Sequence, residues 1–259
     1  MKSSMRSQKF LARNPDMTSS TPEIKINHRA ATSIGNSIFY PGYMFGLDMP
    51  CLVFQIDFDR DAEIFMKEFH TSFERVGRVM RSVAPPHDGL EMFHCDEKRV
   101  DHFLFWVRCL LANHDHLVLN LPKITRIKSK NSHSWAVIFP CLDAPPTLAA
   151  IQIGVEALNL AHSSLDTEES IKSKISDFIS KNESRLKYQS LIGFNTLHFL
   201  REAHNLGIPW FRFSRSIFQL GYGKNSRLLN SSITDATPSI GVAIAKNKRQ
   251  TSHRTKTLE

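Results

Sequence analysis

The sequence predicts an α+β fold: a small mixed-sheet α+β domain followed by a partial α/β segment. Three observations carry that prediction. Runs with a period of two alternate with runs of helical period, one long helix opens on paired prolines, and the last third passes from helices to short strands broken by glycines. At 259 residues with 41% apolar content, the chain can hold one large domain or two small ones around a real core.

Residues 1–35 are rich in Ser, Thr, Asn and basic residues without periodicity, and are expected to be a disordered basic tail. Order is expected from about Phe39. CLVFQIDFD alternates Leu52, Phe54, Ile56 and Phe58 on one side, which predicts a half-buried strand. Asp59 and Asp61 then stand where a helix starts, and Ile64, Phe65, Phe69, Phe73 and Val76 recur at helical spacing up to the break at SVAPPHDGL. DHFLFWVRCLLANH reads as a helix buried on most sides, and HLVLNLP as a second short strand. ITRIKSKNSHSWAVIFPCL reads as a hairpin turning at Lys128–Ser134.

PPTLAAIQIGVEALNLAH opens with proline at a helix start and predicts an amphipathic helix, so the first unit reads β-α-α-β-β-β-α. DTEESIKSKISDFISKNES is a charged connecting helix capped by Asp166 or Thr167, with Ile171, Ile175, Phe178 and Ile179 as a narrow apolar stripe. SLIGFNTLHFLREAHNLG predicts a helix ended by Gly207. Three short strands follow, WFRFS, SIFQLGYG and RLLNSSIT, and then a helix beginning near Thr237-Pro238. The domain reading is a tail (1–35), an amino-terminal α+β domain (36–165), connecting helices with a final segment (166–248), and a basic tail (249–259).

The formal net charge of +8 resembles a nucleic-acid signal until its location is considered. Residues 1–30 carry six Lys/Arg against Asp16 and Glu23, and residues 246–259 carry five against Glu259. The two ends hold the whole excess. A duplex-binding face concentrates its charge on the folded body, so no specific nucleic-acid partner is expected. No apolar run reaches the roughly 18–20 residues of a membrane span, and the basic start lacks the apolar core of a secretory signal. Cys51, Cys95, Cys109 and Cys141 are widely spaced without a CxxC pair, which suits a reducing cytoplasm.

Candidate chemistry is sparse upstream. His94, Cys95 and His102, and separately His114 and His116, are close in sequence but match no metal-ligand framework. Asp57, Asp59 and Asp61 lack the glycine turn and bidentate Glu of a calcium loop. Ser231 and Ser232 have no nucleophile elbow around them. The coherent cluster is downstream. Gly221-Tyr222-Gly223 allows close backbone approach, Lys224 and Arg227 flank it, and Ser232, Thr234 and Thr237 lead to a helix start suited to an anion. Gly221, Gly223, Arg227, Ser232, Thr234, Thr237 and Lys248 are the candidate substrate- or phosphate-binding residues; no catalytic residue and no metal ligand is assigned.

These motifs stand in order. Gly207-Ile208-Pro209, Gln219-Leu220-Gly221-Tyr222-Gly223, Thr234-Asp235-Ala236-Thr237 and Asn247-Lys248 together resemble the segment of cyanophycin synthetase-like ATP-grasp ligases that introduces their ATP-binding region. The layout upstream is similar to the amino-terminal domain of these ligases. The resemblance implies an ATP-dependent carboxylate–amine ligase. ATP would phosphorylate a carboxylate, an amine would attack the acyl phosphate, and magnesium would bridge the phosphates. The amino-terminal domain would hold an amino-acid or peptide substrate.

The sequence departs from the pattern at its end. Asn247-Lys248 replaces the family's Asp-Lys, and Thr251-Ser252 stands where a Thr-Lys pair is usual. The ATP- and metal-binding parts are therefore expected to be missing and the chain inactive alone, with a noncatalytic amino-acid- or peptide-binding module, or a truncated product without activity, as the alternatives.

Overall fold

In the computed structural model the described residues are 32–239, except 43, 59–65, 88–89, 91–97, 129–132, 163–166, 189–191 and 215. The alternation read in CLVFQIDFD forms a central strand. Leu52, Phe54, Ile56 and Phe58 are buried, while Val53, Gln55 and Asp57 are partly exposed on the other face. The strands β1 (Thr32–Tyr40), β2 (Cys51–Phe58), β3 (Lys123–Lys128) and β4 (His133–Pro140) form an antiparallel sheet in the order β1-β2-β4-β3. Leu52 pairs with Phe139, Phe54 with Val137 and Ile56 with Trp135, so apolar side chains stack across the strands. The predicted hairpin is present as β3 and β4, with Lys128 opposite His133.

β1 departs from the expectation that order starts near Phe39, since it begins at Thr32. Its sequence, TSIGNSIFY, is polar and glycine-bearing, and a register shift lies between Ile34 and Ser37. Tertiary contacts hold it instead: Asn159 accepts the Thr32 N–H through Oδ1 (2.9 Å) and donates through Nδ2 to the Thr32 carbonyl (3.3 Å). HLVLNLP is a second correction. It makes no strand and runs as an extended connector. Its alternation is real, but it turns Leu117 and Leu119 into a core, which needs no ladder partner. The observed order of the first unit is therefore β-β-α-α-β-β-α.

The helices α1 (Met66–Val83), α2 (Lys98–Ala112) and α3 (Ala144–His162) pack on the face of the sheet that bears Phe54. The residues 59–65 that would show the predicted Asp59 and Asp61 cap, and Ile64 and Phe65, lie outside the described residues, as does the side chain of Phe69. α2 is buried on most sides as expected, and its Arg99 guanidinium lies over the Phe58 ring, 4.6 Å from the centroid. The amphipathic expectation for α3 needs correction. Between Pro146 and Ala161 only Gln152, Glu156, Asn159 and Leu160 reach partial exposure, because α1, α2, α4 and β1 surround the helix.

α4 (Glu168–Leu186) begins as predicted, with Thr167 Oγ1 accepting the Ser170 N–H at 3.3 Å and two acids in the first turn. Ile171 and Ile175 are buried in the first core, and Phe178 and Ile179 pack against it. α5 (Phe194–Asn205) ends in a Schellman motif. Gly207 lies at φ 66°, its N–H donates to His204 and that of Ile208 donates to Ala203.

A second antiparallel sheet follows, with β5 (Trp210–Arg212), β6 (Ile217–Leu220), β7 (Arg227–Asn230) and β8 (Ile233–Thr234) in chain order. RLLNSSIT is two strands and not one. Ser231 adopts φ 59°, and Asn230 pairs with Ile233 across a two-residue turn. The second core joins α5 and this sheet (Ile192, Leu200, Ala203, Trp210, Phe218) to three residues of the first unit, Met49, Leu117 and Leu142. The helix expected from Thr237-Pro238 lies beyond the described residues after Ser239, as do both expected basic tails apart from 32–35.

Candidate functional site

The strand pairing decides which candidate residues meet. Gly221 (φ 73°) and Gly223 (φ 61°) form the β6–β7 turn, and Arg227 opens β7 beside it. β8 runs back along β7, with Thr234 opposite Leu229 and the Asp235 N–H donating to Leu228 (3.1 Å), which brings Thr234 and Thr237 toward the Arg227 end. Ser232 lies in the β7–β8 turn at the other end of the strand, on the order of 10 Å away at strand rise. Lys248 lies outside the described residues. Gly221, Gly223 and Arg227 thus lie at the β6–β7 turn and Ser232 at the β7–β8 turn, with Thr234 and Thr237 following Ser232 as the chain returns toward Arg227.

Several backbone donors of this edge are already engaged. The Gly221 N–H donates to Pro209 (2.6 Å), Ser226 to Gly223 (3.1 Å) and Thr237 to Thr234 (3.0 Å). The Thr237 hydroxyl oxygen accepts the Thr234 N–H at 3.1 Å and lies 3.3 Å from the Thr234 hydroxyl. Arg227 donates to its neighbour's Ser226 carbonyl at 2.9 Å. A phosphate cradle needs convergent free amides; the Ser226 and Thr237 amides point into their own turns, and that of Gly221 is spent on the chain entering β5. Asp235 is the only carboxylate between residues 207 and 239, and among the described residues no group of three His, Cys, Asp or Glu could hold a metal ion. No chemical step through ATP or magnesium is assigned to the described residues of this edge.

The upstream candidates have structural partners. Asp57 accepts from Gln55 Nε2 at 2.7 Å. His102 donates through Nδ1 to the Lys98 carbonyl and packs edge-on against Phe73. His114 donates through Nδ1 to the Leu110 carbonyl at 2.7 Å. Burial pushes the Cys109 thiol up to about 11 and the Cys141 thiol up to about 12, so both stay protonated at neutral pH and neither is a nucleophile. His94 and Cys95 lie outside the described residues.

A second place, not singled out in the sequence, lies where α5 meets the first unit. A cleft of about 20 Å³, room for one water, is lined by His116, Cys141, Asp143, Thr147, Ile192 and Leu197 among others. Asp143, at the start of α3, pairs with Arg212 of β5 at 3.1 Å, and both side chains are largely buried (10% and 16% exposed). Arg212 also donates to the Leu142 carbonyl (3.4 Å) and lies over the Phe218 ring. Nothing in the sequence links positions 69 apart, so this pair is not legible there. Removing the carboxylate leaves a partly buried guanidinium with its weaker partners. Asp143→Ala is expected to lose about 2 kcal/mol in urea unfolding, and a loss below about 0.5 kcal/mol would show the pair to be incidental.

No family model matches the chain. Over 99 residues it is 33% identical to cyanophycin synthetase of Trichormus variabilis and equally to that of a Nostoc species, a stretch covering 38% of this chain and 11% of each relative. The aligned part thus spans about a tenth of the length of the curated relatives it matches. The chain is a distant relative of these synthetases over part of its length, with an α+β fold. Among the described residues, no helix is long and apolar enough to cross a membrane.

Proposed function

We propose that this chain is the amino-terminal portion of a cyanophycin synthetase-like ligase of the ATP-grasp class, an enzyme that joins a carboxylate to an amine at the expense of ATP. The observation that carries the proposal is the identity to two cyanophycin synthetases, 33% over 99 residues, beside the ordered motifs from Gly207 to Lys248. In this reading the chain holds or orients an amino-acid or peptide substrate. ATP and magnesium belong to the ligase as a whole and are not bound by this portion alone. The engaged amides of Gly221, Ser226, Thr234, Asp235 and Thr237 support that division of labour. The buried free thiols of Cys51, Cys109 and Cys141 support a reducing, cytoplasmic setting.

The test is direct. Incubated with ATP, magnesium and candidate amino acids or peptides, the chain is expected to release no ADP and form no amide. Calorimetric titration is expected to give heat with an acidic or an arginine-rich peptide and none with ATP. Robust turnover would overturn the claim that activation lies elsewhere, and silence with every peptide would overturn substrate holding.

A further inference from the structure

We infer that the turn between β1 and β2, with the sheet face beside it, docks on an anionic lipid surface, where Phe45 enters the acyl boundary and Lys123 and Arg126 of β3 meet headgroup phosphates. The exposed apolar surface of the first unit is gathered here. Among the described residues from Thr32 to Leu186, the large hydrophobic side chains left exposed are Ile38, Met44, Phe45 and Leu121. Strand register joins them. Ile38 lies opposite Val53, Val53 opposite Ile138 and Ile138 opposite Lys123, one row across the sheet on the face away from the helices. Tyr40, two residues beyond Ile38 on that face, meets the Phe45 ring edge-on at 5.4 Å. Leu121 stands two residues before Lys123, whose Nζ donates to the Phe45 (2.7 Å) and Gly46 (3.0 Å) carbonyls. Hydrophobic residues scattered singly over a surface are ordinary, whereas a contiguous group marks an interaction site.

The turn is built to present the ring. Phe45 (φ 57°) and Gly46 (φ 68°) both lie at positive φ, and the Leu47 N–H donates to the Met44 carbonyl across them at 3.0 Å. Such a type I′ turn prefers Asn-Gly, and a bulky residue at its first central position is strained, so the fold alone does not account for the phenyl ring. The two bonds from Lys123 hold the turn, and little further order is lost when its tip docks. Charge names the partner. From Leu121 to Lys128 the chain carries Lys123, Arg126 and Lys128 without an acid, and Lys123 and Arg126 are exposed. The acid of the turn segment, Asp48, accepts from Asn120 Nδ2 at 2.6 Å and lies 3.4 Å from His204, toward α5. The basic excess of the chain's two ends adds a longer-range attraction of the same sign. Residues 44–46 are exposed in succession, and a tip of this kind enters the interfacial layer of a bilayer, where aromatic rings collect. Buried hydrocarbon and attraction to anionic lipid are the two signals that surface binding combines, and a spanning helix is not needed for it.

Flotation of the full chain with lipid vesicles tests the inference. Binding is expected to phosphatidylcholine vesicles containing about 30% phosphatidylglycerol, and about tenfold weaker binding to phosphatidylcholine alone. Phe45→Asn suits the turn's backbone and removes the ring, so it is expected to bind about tenfold less while its thermal midpoint stays level or rises. Arg126→Gln is expected to bind about fivefold less. The emission of Phe45→Trp is expected to shift to the blue when anionic vesicles are added, whereas that of Phe213→Trp, at a position 62% exposed on the second sheet, is expected to stay. Absence of binding to anionic vesicles overturns the inference, and the surface then serves a protein partner or none. Binding that survives Phe45→Asn undiminished, or that leaves the Phe45→Trp emission unshifted, overturns it as well, because the basic ends then account for the attraction. Should Phe45→Asn fail to fold, the Phe45→Trp emission decides.

Discussion

Trp210→Ala is expected to remove about 4 kcal/mol from the stability of the α5–second sheet unit, the largest single effect in that half of the molecule. Trp210 is 1% exposed and is the largest side chain in a core of only eight buried residues. Its ring meets Phe218 at 6.1 Å between centroids in an edge-on contact, and the strand pairing sets it opposite Leu220. A small core has few neighbours to relax into the void, so the cavity cost adds nearly in full to the lost transfer energy. The consequence reaches the candidate edge. Gly221 is tied to Pro209, the residue beside Trp210, so the β6–β7 turn loosens with the strand. Urea unfolding followed by amide exchange reads the effect: 194–234 should open before the first core. A loss under 1 kcal/mol would mean that the second unit draws its stability from elsewhere.

Much of this architecture is legible in the chain, where the period of a segment and its burial coincide. Leu52, Phe54, Ile56 and Phe58 face one core on one side, so their alternation is the structure. Thr167 and the Ile171–Ile175 stripe likewise act within one helix. The misreadings arise where a segment takes its form from distant partners. Thr32–Tyr40 has the composition of a loop and becomes a strand because β2 pairs with it and Asn159 holds its start. HLVLNLP has the composition of a strand and remains a connector, since its inward residues serve the second core. RLLNSSIT conceals a turn because Ser231 takes a left-handed conformation that composition associates with glycine.

The candidate site divides in the same way. The Gly221–Gly223 turn follows from local chemistry, and the two glycines do lie at positive φ. The return of Thr234 and Thr237 toward Arg227, with Ser232 at the turn, depends on the β7–β8 reversal, which the single-strand reading of RLLNSSIT concealed. The cleft of His116 and Asp143, whose carboxylate Arg212 holds, is invisible to any local motif. It exists only because α5 and the second sheet dock on Met49, Leu117 and Leu142.

Gly154→Val is expected to cost about 3 kcal/mol, against about 1 kcal/mol for Gly154→Ala. A glycine inside a helix sacrifices helix propensity, so its presence in the middle of α3 calls for a packing reason. A Cβ built there lies 2.9 Å from Phe103 Cε2, 3.0 Å from Phe103 Cδ2 and 3.3 Å from Val107 Cγ2. The missing side chain is what lets α2 approach α3 so closely. Phe103 is fully buried and its ring stands edge-on to Phe54 at 6.3 Å, so it can retreat only by disturbing the sheet. Alanine gains helix propensity that offsets part of the clash. Valine adds two γ-methyl groups on a restricted χ1 and gains less. Because α3 touches α1, α2, α4 and β1, the displacement spreads through the first core and should appear as one cooperative loss in chemical unfolding. A valine variant within 1 kcal/mol of the unaltered chain would show that the α2–α3 crossing yields easily, and that Gly154 is there for some reason other than close approach.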